Sequence, residues 1–132
     1  MKFAKWVFLL AGIYGVLVVT PQFFLERQVN RDYPPAITHP EYFYGFAGVA
    51  LAWQIAFLII SRDPVRYRPI MLAGVVEKST FGFATIALFL EERLPMAMLI
   101  FGLIDLVLCG LFIVAWWKVR SHATYETNSK TE

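Results

Sequence analysis

The sequence predicts an all-α protein, a four-helix transmembrane bundle running up-down-up-down with both termini in the cytoplasm. Three observations point to it. Of the 132 residues, 58% are hydrophobic and only 17% are charged. Four apolar runs are each long enough to cross a bilayer, and the basic residues gather unevenly at the ends of those runs. Soluble domains carry about 45–50% apolar and about 25% charged residues, so the apolar excess must face something other than water. The length suits a single domain.

A spanning helix needs about 20 mostly apolar residues, because a hydrocarbon core of ~30 Å is crossed at ~1.5 Å per residue. Residues 3–20, 42–60, 70–90 and 96–117 meet that requirement. The first run, WVFLLAGIYGVLVVT, follows Lys2 and Lys5 as a secretory signal would. Pro21, Phe23 and Phe24 stand where a cleavage site needs small residues, so the run is read as a retained signal anchor. Tyr42, Phe43 and Tyr44 open the second span, Trp116 and Trp117 close the fourth, and Trp6 is near the start of the first. Such amphipathic rings sit at headgroup level. The turns SRDPVRYRP and EERLP carry proline at a span edge, and their shortness makes successive helices antiparallel neighbours. Residues 1–120 then form one membrane domain. The polar segment 121–132, which includes His122, is expected to be an unstructured cytoplasmic tail.

Orientation follows from the basic residues. Lys2, Lys5, Arg62, Arg66, Arg68, Lys118, Arg120 and Lys130 fall on one side, against Arg27, Arg31 and Arg93 on the other. The richer side is cytoplasmic by the positive-inside rule, which gives a multi-pass protein of the bacterial inner membrane. With 12 basic and 10 acidic residues, the chain lacks the basic excess of a nucleic-acid binder. The lone Cys109 excludes an internal disulfide and a cysteine metal cluster. In its apolar run it reads as a small core residue.

The stretch AGVVEKSTFGFA breaks the apolar pattern, with Glu77 and Lys78 at membrane depth. At a helix centre each costs about 2.5–3.5 kcal/mol on the insertion scale, against about −0.3 to −0.6 for Leu, Ile, Phe or Val. The span's apolar residues therefore contribute roughly −4 to −5 kcal/mol against a cost of about 5–6. The helix needs partners. Asp105 is near the middle of the fourth span, and counting ~1.5 Å per residue puts it within a few ångströms of the height of Lys78. Gln54 in the second span and Tyr14 in the first fall in the same layer. Small residues at i±3 and i±4 (Ala73, Gly74, Thr80 and Gly82 around the pair, Gly102 and Cys109 around Asp105, Ala50 around Gln54) turn these groups inward, because membrane helices approach through small residues.

Two readings of the layer stand. In one, Lys78 pairs with Asp105 or Glu77, Gln54 and Tyr14 satisfy the remaining lone pairs, and the layer fixes helix register. In the other, it lines a polar cavity for a small ligand, a lipid headgroup, a quinone-like molecule or a proton. Two acids against one lysine leave a formal negative excess, so at least one carboxyl should be protonated or matched by something outside the chain.

The connection PQFFLERQVNRDYPPAITHPEY is longer than most loops of compact domains, and its aromatics and prolines suit a small cap on the outer mouth of the bundle. His39 and Glu41 there resemble a metal pair. Without a second histidine nearby, a hydrogen-bonded loop histidine is the expected role, and no metal or other cofactor is expected.

The second span YGFAGVALAWQ, the basic turn SRDPVRYRP with its Arg-Asp-Pro step, and the central acid of GLIDLVL are together similar to the DoxX-like family of small bacterial four-helix membrane proteins, over spans two to four. The resemblance implies an association with quinones, known for some of that group. The CxxC or haem-ligating residues of a chain that itself transfers electrons are absent. So are nucleophile-elbow, zinc-protease, phosphate-loop and dinucleotide motifs. The expected function is thus a binding or accessory subunit for a small lipophilic ligand and not an enzyme, with the lipid bilayer, a homo-oligomer or a membrane complex as its partners. The alternatives are a small oligomeric transporter or proton-coupled permease titrating at Glu77 or Asp105, and a membrane enzyme using either as acid/base on a lipophilic substrate.

Overall fold

Prolines mark where the later long helices begin. Pro40 and Pro69 occupy the first turns of theirs, where the missing N–H would have had no partner. Pro95 accepts the Met98 amide at 3.0 Å just ahead of the last. A computed structural model describes residues 1–129, with side chains through Arg120. It contains α1 (Lys2–Val19), a 3₁₀ turn (Thr20–Phe24), α2 (Glu26–Asp32), α3 (Pro40–Arg62), α4 (Arg68–Leu90) and α5 (Met96–Ser129), and no strand among the described residues. Four of these helices are long and apolar enough to cross a membrane. Their bounds match the expected spans to within about one turn, except that α5 runs on to Ser129. The expectation of an unstructured segment 121–132 thus meets a helical backbone through Ser129. Residues 130–132 and the His122 side chain lie outside the described residues.

Helix ends follow local chemistry. After α3, Asp63 Oδ1 accepts the Arg66 amide at 3.1 Å and the buried Pro64 turns the chain. After α4, the Arg93 amide donates to Leu88 O and the Glu92 amide to Phe89 O, the paired bonds of a Schellman ending. Glu92 takes the left-handed position with φ 58°, where glycine would be less strained.

The buried cluster draws on the first halves of α1 and α4 and the second halves of α3 and α5: Ala4, Phe8 and Ala11, then Met71, then Phe57 and Ile60, then Phe112, Ala115 and Val119. Phe112 stacks on Phe8 at 4.2 Å between centroids and meets Phe57 edge-on at 4.9 Å, arrangements that the ring quadrupoles favour. At this end Arg68 covers the Trp116 ring and Lys118 the Phe3 ring, at 4.2 and 4.5 Å. Outward faces remain apolar and exposed, as at Leu17, Ile59, Phe83 and Val107, which suits contact with lipid.

Helix pairing departs from sequence adjacency. α1 packs along α3 and α4 along α5, and the two pairs meet mainly through α1 and α5. The short turn between α3 and α4 was expected to make them close neighbours, yet they touch little. Glycines explain the choice. A Cβ on Gly82 would come within 2.5 Å of Leu106, and one on Gly102 would strike Thr85, so α4 and α5 approach closely there. Gly45 and Gly48 of α3 face open space.

Candidate functional site

Close approach of α4 and α5 brings Lys78 against Asp105. Lys78 Nζ donates to Asp105 Oδ1 at 3.1 Å and lies 3.4 Å from Glu77 Oε2. Lys78 is 4% exposed and Asp105 8%, while the Glu77 side chain keeps 20% of its surface. An isolated ammonium at this depth would be costly, and the two carboxylates offset that cost. Nζ also lies 5.6 Å from the centroid of Phe57, which seats the charge layer on the aromatic cluster. Cys109, one turn further along α5, is buried and unbridged, with Sγ 3.7 Å from Val75 O.

Gln54 and Tyr14 reach the same level but do not complete the network as expected. Gln54 is 1% exposed, and its Nε2 donates to Ala50 O of its own helix at 2.9 Å. Its Oε1 has no hydrogen-bond partner, and neither has Glu77 Oε2. α1 admits the Gln54 side chain only because residue 15 is glycine, since any Cβ there would collide with it. Tyr14 is half-buried at the edge of the layer.

The layer is the floor of a cavity of about 1070 Å³ between the two helix pairs. Tyr14, Gln54, Glu77, Lys78 and Asp105 all line it, and its walls include Phe46, Trp53, Val76, Phe81 and Phe101. Val49 and Val76 line it too and are more than half exposed, so it opens sideways between α3 and α4. Phe46 and Phe81, 6.1 Å apart, bridge that gap further from the aromatic cluster. Ala73 and Thr80, expected at a helix contact, line the cavity as well.

The long connection covers the far end. Gln22, Val29 and Tyr33 reach into the cavity. Tyr44 OH donates to Glu26 Oε2 at 2.6 Å, tying α2 to α3, and Asn30 Oδ1 accepts the Ile37 amide at 2.7 Å. His39 Nδ1 and Glu41 Oε1 are 3.1 Å apart and exposed. No group of three or more potential metal ligands occurs among the described residues.

Sequence reasoning found the charged layer and offered a cavity there as one of two readings, but it missed the apolar walls, Trp53, Phe46 and Phe81 among them. The only signal was the spacing of Ala73, Val76 and Thr80, small or short residues on one face of α4 beside the charges. Chemically the arrangement is an apolar chamber ending in a floor rich in hydrogen-bond acceptors. No protein-family model matches the chain, and no curated protein or solved structure matches it either.

Proposed function

We propose that this is a multi-pass protein of the bacterial inner membrane that binds a small amphiphilic molecule as a binding or accessory subunit. One observation carries the reading: a cavity of about 1070 Å³, large and apolar-walled, ends on the buried group of Lys78, Asp105 and Glu77. Sites for small molecules are typically of this size and character, mostly apolar with a few convergent polar groups. The apolar part of the ligand lies along Trp53, Val76 and Phe101 and its polar end meets the floor, with entry from the lipid between α3 and α4.

Placing the basic ends of α1, α4 and α5 in the cytoplasm makes the bundle up-down-up-down, with the α2 cap outside. A reporter fused after Glu132 is then active only when it functions in the cytoplasm, and activity of a periplasmic reporter there would reverse the assignment.

A bulky residue should close the chamber without touching the core. Ala73→Trp is expected to lower the amount of lipophilic molecule released from the purified protein about ten-fold, a loss of about 1.4 kcal/mol, with an unchanged thermal midpoint. Undiminished recovery of that molecule would refute the site.

The sideways opening with Glu77 behind it also supports a second reading, a membrane enzyme acting on a lipophilic substrate. That reading requires the bound molecule to be converted on incubation and the conversion to stop in Glu77→Gln.

A further inference from the structure

We infer that the molecule held in the cavity presents a primary ammonium or similar hydrogen-bond-donating cation to the floor. This rests on the binding reading above and gives it a chemical class. The floor sets two carboxyl groups beside one ammonium, and all three line the cavity. Glu77 Oε2 lacks a hydrogen bond in spite of its nearness to Lys78, whereas the unpartnered Gln54 Oε1 is packed against Gly15 of α1, out of reach of a ligand. Asp105 Oδ2 and Glu77 Oε1 lie outside both ion pairs. Lys78 has three N–H groups, one of which is given to Asp105 Oδ1. Two carboxyl groups share one ammonium, so with both ionised the floor is one positive charge short, at a depth where an unmatched charge is expensive.

A donor cation supplies the charge and the protons together. A carboxylate or phosphate head would bring more negative charge, and a quinone carbonyl would bring no positive charge to offset the excess. The apolar walls select a chain behind the head, so the ligand is a long-chain amine or the ammonium end of an aminophospholipid.

Trp53 lines the cavity and serves as the reporter. Protein in phosphatidylcholine nanodiscs is titrated with dodecyl chains brominated near the tip and ending in ammonium, hydroxyl or carboxylate, with brominated phosphatidylethanolamine as a fourth arm. Quenching is read as the difference between the protein and Trp53→Phe. The ammonium chain or the phosphatidylethanolamine should half-saturate at a mole fraction about ten-fold or more below that of the carboxylate chain, as one charge-assisted hydrogen bond would give, and whichever of the two does so identifies the source. A smaller ratio for both overturns the inference while leaving the cavity in place. Absence of Trp53-dependent quenching in every arm overturns the binding reading and this inference with it. Glu77→Gln removes the negative excess and should bring the ratio close to one. A ratio unchanged in that variant would show that the preference does not arise at the floor.

Discussion

Replacing Lys78 with methionine should remove most of the folded protein, and adding Asp105→Leu to the same chain should restore much of it. The single change leaves Asp105 and Glu77 side by side, both carboxylates without their shared ammonium. Breaking a buried pair from one side costs about 3–5 kcal/mol, whereas replacing both partners with apolar residues is often neutral or stabilising by about 1–4 kcal/mol. Glu77, whose side chain is 20% exposed, no longer faces a second carboxylate in the double variant. The measurements are the yield of monodisperse protein from detergent and its thermal unfolding midpoint. Equal damage in the two variants would mean that the 3.1 Å contact between Lys78 and Asp105 is not what holds the layer.

Phe112→Ala should have an effect of comparable size by a different route. Phe112 is fully buried, stacked on Phe8 and edge-on to Phe57. Truncating a buried phenylalanine costs about 3–5 kcal/mol, and loss of the ring pairs contributes about 0.5–1.5 kcal/mol of that order. Phe83→Ala is the contrast. Phe83 is 64% exposed on the lipid-facing side of α4, where acyl chains fill the space, so its midpoint should hardly move. The Phe112 variant also thins the aromatic cluster between the charge layer and the basic end. Cys109, the only cysteine in the chain, is one turn away from it on α5. Its reaction with a water-soluble maleimide added from that end should speed up in Phe112→Ala and not in Phe83→Ala. Unaltered labelling in the folded variant would show that the cluster is not the barrier below the cavity.

Much of the architecture was legible in the sequence because lipid imposes simple demands. An apolar run of spanning length must be helical, since backbone groups in hydrocarbon can be satisfied only within the segment, and proline marks where such runs start. Glu77, Lys78 and Asp105 were legible for the same reason, because charges at that depth must find one another. The roles of Gln54 and Tyr14 were not legible. Height along a helix says that a side chain reaches a level. Whether it turns toward a charge or toward its own backbone, as Gln54 does toward Ala50, depends on the packing around it.

By itself the sequence determined the number and bounds of the apolar helices, the depth of the charged layer, and the segregation of basic residues to one end. Only the tertiary structure decided that α1 lies along α3 and α4 along α5, that α3 and α4 part, and that the space between the pairs becomes a chamber closed below by Phe8, Phe57 and Phe112. The physical reason is that residues facing lipid and residues facing the core are equally apolar here. Hydrophobic periodicity, which in water marks the buried stripe of a helix, therefore cannot say which faces meet. That choice fell to steric fit at a few positions, with glycine at 82 and 102 allowing contact, while Val49 and Val76 remained beside an open gap.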